Sequence, residues 1–299
     1  MSSYYGRPVI KEPVWTWEIP AYFFTGGLGG ASAVLSLAAR VGGNEALAKT
    51  SMYVGAAADL ASPPLLISDL GRPERFLNMF RVFKVTSPMS VGSWILGVSG
   101  GASATAALLE LTGRLKLVKY AAEVVSALSG GPLATYTGGL VADTAVPAWH
   151  DARRELPYVF GASAAASAGA ASALFLPPRD AGPARRLAIC GALAELGAVQ
   201  AMERRLGPLV GEPYKQGEAG KLTKASKLCV AAGAGLLAAR GRKSRTAAVA
   251  GSTLLLAGEV ALRIAVWKAG RQSARDPRYT VIPQRERREP RARPAHVRP

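Results

Sequence analysis

Histidine and cysteine are both scarce in this chain of 299 residues. The two histidines are His150, at the end of an apolar stretch, and His296, close to the C-terminus. A haem inside a helical bundle needs axial ligands there, usually paired histidines, so we expect no b-type haem. Cys190 and Cys229 each stand alone, which predicts no iron–sulfur cluster, disulfide framework or metal-ligand spacing in this chain. Glycine fingerprints for nucleotides are also missing.

Charge is sparse in eight stretches of roughly 20 residues that are rich in Ala, Gly, Leu and Val. That length crosses the ~30 Å hydrocarbon core of a bilayer. The mean hydropathy of only +0.15 hides this pattern, because the charges are concentrated in short blocks between the stretches. No cleavable signal peptide is apparent, so the first helix is expected to direct insertion. We predict an all-α, polytopic membrane protein with transmembrane helices at 18–41, 47–67, 88–111, 117–141, 157–176, 184–202, 222–239 and 246–267.

The net charge of +17 is partly that of the C-terminal segment. Residues 271–299 contain nine arginines and three acidic residues, and their Pro and Arg content predicts a disordered tail. A polybasic segment beside a membrane helix favours an anionic lipid surface, so we expect membrane lipids and no nucleic acid as partners. Eight helices put both termini on one side, and the tail tips the Lys and Arg count toward cytoplasmic termini. The expected location is the bacterial cytoplasmic membrane.

The segment 68–94 joins two apolar stretches and mixes basic with aromatic side chains. This mixture is costly in hydrocarbon and unsuited to a free aqueous loop, so it predicts a surface that docks a partner at the membrane. An ordinary amphipathic connector is the alternative. The predicted docking residues are Arg72, Arg75, Phe76, Arg81 and Lys84, with Arg153 and Arg154 in the surface loop 142–156.

Local signals predict the structure of the segment 68–94, which we call the docking loop. Pro73 suits the first turn of a short interfacial helix that reaches Phe83, with Asp69 as its cap. Ser87 and Pro88 then open the next long helix.

One predicted span contains an aspartate, Asp59, followed by Pro63. Because proline has no N–H, the Asp59 carbonyl loses its helical partner, and a carboxyl and a free carbonyl coincide in the membrane. An intramembrane acid in this setting indicates proton transfer, with a structural hydrogen bond or water site as the alternative.

The other even-numbered spans also carry an acid. Glu123 follows Lys119 by four residues, and Glu259 precedes Arg263 by the same spacing, so both predict ion pairs on one helix face. Glu195 has no partner that spacing suggests, and it could face a bundle interior or a partner helix.

The fourth span contains Ser-Gly-Gly-Pro at 129–132, one turn before Tyr136. Irregular backbone at membrane depth is tolerated where it is buried in protein or lines a cavity, so this sequence predicts a broken helix with a cavity beside Tyr136.

Three long stretches resemble the NrfD/PsrC family, the membrane subunits of polysulfide-reductase-like and formate-dehydrogenase-like molybdopterin enzyme complexes. The first is the docking loop, D-L-G-R-P-x-R-F-L-N-M-x-R-V-F-K-x-x-S-P-M-S-x-G-S-W. The others are PVWTWEIPAYFFTGG at 13–27 and YTGGLVADTAVPAWHDARRELPYVF at 136–160. The resemblance covers about residues 4–270.

This resemblance implies two four-helix bundles, at 18–141 and 157–270, after an interfacial lead at 1–17. It also implies a quinone site in the first bundle, near the N-terminal end of helix one and the matching end of helix four. The family's helix-one histidine or asparagine is not matched here, where Trp17, Glu18 and Tyr22 stand instead. The expected quinone-binding residues are Tyr136, Tyr22, Glu18, Asp143 and His150, and the expected proton-transfer residues are Asp59 and Asp143. For His150, a surface histidine is the alternative.

The function expected from the resemblance is exchange of electrons between menaquinone and a four-cluster ferredoxin-like iron–sulfur subunit, which serves a molybdopterin catalytic subunit. The chain alone would then have no turnover. Two alternatives are a proton channel or secondary transporter, which broken helices with an intramembrane acid would suit, and a purely structural membrane anchor.

Overall fold

The computed structural model describes residues 8–288 as helices and connecting turns, with no strand in that range. Eight of the helices there have 20 residues or more. Two 3₁₀ helices, Pro73–Phe80 and Glu212–Tyr214, lie in the connections. The α-helices are α1 (Glu18–Val41), α2 (Glu45–Ser68), α3 (Pro88–Thr112), α4 (Lys116–Ala142), α5 (Pro147–His150), α6 (Leu156–Phe175), α7 (Gly182–Val210), α8 (Gly217–Ala239), α9 (Arg245–Arg275) and α10 (Arg278–Arg288).

Each of the eight long helices coincides with one predicted span. By length and hydropathy, α1, α3, α6, α8 and α9 are able to cross a membrane. The buried acids Asp59, Glu123 and Glu195 lie on α2, α4 and α7, and they lower the hydropathy of those helices although they face the protein interior. The chain is therefore a polytopic helical membrane protein, and a count of eight spans stays a prediction.

The long helices pack in two sets of four. Neighbour contacts close a ring through α1, α2, α3 and α4, which we call the first bundle. A second ring runs through α6, α7, α8 and α9, the second bundle, and α6 packs against α1, α2 and α4 at the seam. Inside the first bundle α1 touches α4 where Gly30 meets Gly130, since a Cβ on Gly30 would come within 2.3 Å of the Gly130 carbonyl oxygen.

The predicted break in the fourth span is wrong. Helix α4 continues through Pro132, and α2 likewise continues through Pro63 and Pro64. Proline is tolerated in membrane helices because neighbouring helices and hydroxyl side chains satisfy the freed backbone groups. Gly130 serves the close contact with α1. The irregular backbone lies elsewhere, at Gly207 in α7, whose φ of 69° favours glycine.

The structure of the docking loop agrees with the prediction at the start of α3 but differs from it at the short helix. Ser87 does cap α3, accepting a hydrogen bond from the backbone N–H of Ser90, with Pro88 in the first turn. The short helix, however, begins at Pro73, ends at Phe80 and has no side-chain cap. Asp69 instead accepts hydrogen bonds from the backbone N–H and the hydroxyl of Thr16, at 3.0 and 2.6 Å. The carboxylate thus ties the docking loop to the N-terminal lead.

The segment predicted as a disordered tail is helical as far as the structure describes it. Helix α9 runs on to Arg275, and α10 follows. Tyr279 of α10 is buried and donates a hydrogen bond to Glu212. The remainder of the predicted tail, 289–299, lies outside the described residues, as does 1–7 of the predicted lead.

Glu12 fastens the N-terminal lead to α9. Its carboxylate accepts hydrogen bonds from Arg275, at 2.8 and 2.9 Å, and from Arg271. The hydrogen bond from Arg275 is the largest cause that holds the pKa of Glu12 below its ordinary value of 4.5. Since the folded state lowers this pKa, the contact stabilises fully above pH 4.5 and is lost as the pH falls through the lowered pKa.

Glu12→Gln is therefore expected to loosen the lead at neutral pH. Hydrogen–deuterium exchange of the amides in 8–17 should rise by up to about fivefold, the effect of one partly exposed ion pair. Glu218→Gln, which removes the exposed partner of Lys268 on the neighbouring surface, is the matched control. Equal protection of the lead in wild type and Glu12→Gln would contradict this attachment.

Candidate functional site

A cavity of about 100 Å³ lies at the docking-loop end of the first bundle. Five elements of this bundle and the N-terminal lead build its wall, and α2 contributes Leu66. The lead contributes Trp15, α1 contributes Tyr22, the 3₁₀ helix of the docking loop contributes Met79, α3 contributes Ser93, and α4 contributes Tyr136. The docking loop is thus one wall of the cavity.

Two tyrosines supply its polar groups. Tyr22 is fully buried on α1, and its hydroxyl lies close enough to that of Tyr136 to interact electrostatically but makes no hydrogen bond of normal geometry in the described part of the chain. Tyr136 lies against α3 where Gly92 leaves room, because a Cβ there would come within 2.0 Å of the phenol ring. The site therefore presents two phenol groups, one of them unsatisfied, to whatever enters the cavity.

The stack of aromatic rings behind the cavity holds Trp15 in place. Its ring stacks on that of Trp149 at 5.4 Å, and its carbonyl accepts a hydrogen bond from the Trp267 indole. The Trp149 indole donates to the carbonyl of Val266 at 2.7 Å and lies against Gly270. The second bundle thus fixes one wall of a cavity in the first.

Three of the predicted quinone-binding residues lie outside the cavity lining. Glu18 is half-buried at the start of α1 and accepts a hydrogen bond from Thr16. Asp143, at the C-terminal end of α4, and His150, in α5, are both exposed. Tyr22 and Tyr136 are brought together, and Glu18 is linked to the rim through Thr16 and Asp69.

Sequence reasoning missed several residues of the wall, among them Trp15, Asp69, Met79, Gly92 and Ser93. The last four stand in the docking-loop stretch that carries the family resemblance. Their role was overlooked because we interpreted that stretch as a surface for a partner alone.

A column of buried polar groups begins at Asp59, which lies against Gly29 of α1, seven residues or about 10 Å along the helix from Tyr22. Asp59 is buried, and one of its carboxylate oxygens accepts hydrogen bonds from Ser103 at 2.7 Å and from Ser99 at 3.4 Å. Ser103 also bonds the hydroxyl of Ser126, at 2.6 Å. The second Asp59 oxygen lies against Gly29, without a hydrogen-bond partner among residues 8–288. A titratable group is thus connected to hydroxyls on two further helices.

The column continues to the opposite end of the bundle. A small cavity of about 10 Å³, enough for one water, lies between Ser103, Ser126, Ser36 and Glu123. Glu123 accepts hydrogen bonds from Ser36 at 2.7 Å and from Arg40 at 2.5 Å. The predicted pair of Glu123 with Lys119 is wrong, because Lys119 binds Glu110 instead.

The prediction for Glu259 is also corrected. Its carboxylate accepts a hydrogen bond from Ser163 and interacts with that of Glu195, so Glu195 faces the interior of the second bundle. Arg263 instead donates to the carbonyl of Phe160 at 3.1 Å and stacks over its ring, with no ion pair to Glu259 within 4.0 Å. The two side chains share one face of α9 and interact electrostatically, but their direct contacts are with different groups on the neighbouring helices, which spacing does not reveal.

The docking loop presents its basic side chains to the outside. Arg72, Arg75, Arg81 and Lys84 are exposed and form no ion pair within residues 8–288. Beneath them an aromatic layer fixes the loop on α3: Phe76 packs edge-on against Phe80, and Phe80 against Trp94, with ring centroids 5.6 and 5.7 Å apart.

In the loop before α6, Arg153 contacts Asp151 and the carbonyl of His150, while Arg154 is exposed. Both lie at the same end of the molecule as the docking loop. In the described part of the chain, no three His, Cys, Asp or Glu side chains form a group that could hold a metal ion.

These features define a polytopic helical membrane protein with a largely apolar cavity, holding two tyrosines, under a basic, aromatic loop. A family model described as polysulphide reductase, NrfD, matches residues 9–210, more than half of the chain. The chain belongs to this NrfD family, whose members are generally membrane subunits of oxidoreductase complexes. The family match ends in α7 at residue 210, whereas the resemblance was expected to cover about residues 4–270. No curated protein matches the chain.

Proposed function

We propose that this chain is the quinone-reactive membrane subunit of a molybdopterin oxidoreductase complex in the bacterial cytoplasmic membrane. It passes electrons between menaquinone in the cavity of the first bundle and a four-cluster ferredoxin-like iron–sulfur subunit docked on the loop. The position of the cavity carries the proposal: Met79 of the docking loop lines it, so a partner on the loop lies over the polar groups Tyr22 and Tyr136.

The cavity suits the head of a quinone. Its volume is below the ~300–1,000 Å³ of pockets that enclose a drug-sized ligand, so it takes a flat ring and leaves the isoprenoid tail to the lipid. The Tyr22 hydroxyl, buried without a partner, is a donor for a quinone carbonyl. A bound quinone supplies two-electron, two-proton redox chemistry at its carbonyl oxygens. Tyr22 and Tyr136 orient the ring, and the rings of Trp15 and Phe23 exclude water from one side.

Protons reach the site through the polar column in this proposal. Asp59 holds a proton, and the hydroxyls of Ser103 and Ser126 connect it through the small cavity to Glu123. Asp143 and Glu18 stay predictions for proton exchange at the opposite, docking-loop end, and His150 stays a prediction for quinone binding.

Proton conduction across the membrane without electron transfer is a second candidate. The column favours it because Arg40, at its far end, contacts the exposed Glu45. The transporter alternative rested on broken helices, and α2 and α4 are both continuous, so this support for a transporter is lost. Proteoliposomes that contain the chain alone separate the two functions. If the chain is a proton channel, the vesicle interior acidifies when a membrane potential is imposed, without any partner subunit. If the chain is a quinone-reactive subunit, the internal pH does not change.

Purification in mild detergent tests the docking assignment. The wild-type chain is expected to bring down a molybdenum or tungsten subunit, an iron–sulfur subunit and menaquinone. Arg72→Glu with Arg75→Glu should reduce recovery of the iron–sulfur subunit by at least about tenfold, because charge reversal at an interface costs several kcal/mol.

The matched control reverses two exposed cations on the opposite face, Arg114→Glu with Lys116→Glu. Normal recovery of the iron–sulfur subunit with the loop variant would contradict the docking assignment. A wild-type chain that purifies alone and without quinone would favour the channel.

A further inference from the structure

An apolar groove runs along the outside of the seam between the two bundles. It has a volume of about 700 Å³ and is walled by α1 and α4 of the first bundle and by α6 and α7 of the second. Val34, Ala38, Leu187 and Ala165 are among its lining residues. This groove is open to the surroundings of the transmembrane helices, and it is separate from the cavity at Tyr136.

The groove is long enough for about half of an acyl chain. Its α7 wall runs from Pro183 to Cys190 and its α1 wall from Ala31 to Ala38, each seven residues or about 10 Å at 1.5 Å per residue. Gly131 opens the middle of the groove, because a Cβ added there would meet no atom within 4 Å. The shallow end is formed by Pro183 and Arg186, in the first turns of α7.

A basic recess of about 760 Å³ continues from that shallow end, and Arg186 belongs to both spaces. The recess is formed by the α6–α7 and α8–α9 connections, and its lining within residues 8–288 contains no acidic side chain. Arg186, Arg242 and Lys243 are exposed and form no ion pair or hydrogen bond through their side chains in that range. Of the two remaining cations, Arg179 pairs with Asp180 and Arg185 donates to the carbonyl of Pro178.

We propose that this groove and recess form a specific site for one anionic phospholipid. The phosphate of the headgroup binds Arg186, Arg242 and Lys243, and one acyl chain lies in the groove between the bundles. Charge complementarity selects this occupant, because Arg186, Arg242 and Lys243 stand without partners within residues 8–288 where the apolar groove meets the basic recess. The site lies at the end of the molecule opposite the docking loop and does not depend on the proposed quinone chemistry.

The lipid would join the two bundles on this side of the seam. Small residues line the groove here, and a Cβ on Gly131 would meet no atom within 4 Å, so α4 leaves a space there that side chains do not fill. An acyl chain supplies the missing contacts, since packing is what holds membrane helices together.

Titration of the delipidated protein in mild detergent tests the site. The probes are phosphatidylglycerol and phosphatidylcholine with identical acyl chains, and inorganic phosphate, with native mass spectrometry counting bound lipid. Phosphatidylglycerol is expected to bind at one per chain, and phosphatidylcholine and inorganic phosphate at least about tenfold more weakly. Arg186→Gln should weaken the binding of phosphatidylglycerol about fivefold, and the triple variant with Arg242→Gln and Lys243→Gln about a hundredfold.

Gly131→Leu tests the groove separately, because the added side chain fills it and leaves the basic recess intact. It should abolish one-to-one binding of phosphatidylglycerol. Gly101→Leu is the matched control, since a Cβ at Gly101 also meets nothing within 4 Å and this residue lies on exposed α3, away from the groove. Arg114→Gln controls for loss of a cation at the same end. Equal affinity for phosphatidylcholine, equal affinity for inorganic phosphate, or wild-type binding by Gly131→Leu would each overturn the proposal.

Discussion

Tyr136→Phe is expected to lower quinol-linked electron transfer on the order of a hundredfold in the assembled complex, the usual contribution of a positioned proton donor. The substitution removes the hydroxyl that faces Tyr22 across the cavity and keeps the ring that packs on Gly92. The measurement is turnover with a soluble menaquinol analogue, together with the amount of iron–sulfur subunit recovered. Assembly should be unchanged, because Tyr136 lies inside the bundle wall and away from the exposed docking side chains.

Tyr158→Phe is the matched control for this substitution. Tyr158 stands on α6 with 74% of its surface exposed, outside the cavity lining. Its loss should leave turnover within about twofold of wild type, as expected of a surface substitution away from structural features. Unchanged activity of Tyr136→Phe at full assembly would remove Tyr136 from the site and favour a structural anchor.

Asp59→Asn is expected to lower turnover by about a hundredfold as well, with a different signature. The amide oxygen can still accept the hydrogen bond from Ser103, but the side chain can no longer hold or pass a proton. Binding of a quinone analogue should therefore be retained, while proton uptake coupled to quinol chemistry slows. Stopped-flow measurement with a pH indicator in proteoliposomes of the complex separates these two effects.

Glu195→Gln controls for the removal of a buried carboxyl from the membrane region. Glu195 is as fully buried as Asp59, but it belongs to the second bundle, away from the polar column. Its substitution should spare proton uptake. If Asp59→Asn and Glu195→Gln slow the uptake equally, the effect comes from disturbed packing and the column has no role in proton transfer.

Much of the fold could be predicted because it depends on local composition. The eight long helices fall where apolar stretches of membrane length stand, and Ser87 with Pro88 marks the start of α3. A stretch of about 20 apolar residues must form its hydrogen bonds within itself when it leaves water, so its helical structure follows from the stretch alone. The predicted breaks failed because α2 and α4 stay helical through Pro63 and Pro132. A membrane helix tolerates proline when its surroundings satisfy the freed backbone groups, and local composition does not show those surroundings.

The candidate site could be predicted only in part. Asp59 was predicted from its place in an apolar stretch and Tyr22 and Tyr136 from the family resemblance, and the structure places all three inside the first bundle. The sequence alone determined the class of protein, its helices, its basic docking loop and its family resemblance. Only the tertiary structure decided the partners of the acids. Glu123 binds Arg40, which is 83 positions away along the chain. Lys119, only one helix turn from Glu123, binds Glu110 instead. Such pairs depend on how each helix is rotated in its bundle, and that rotation is set by the packing of all neighbours together.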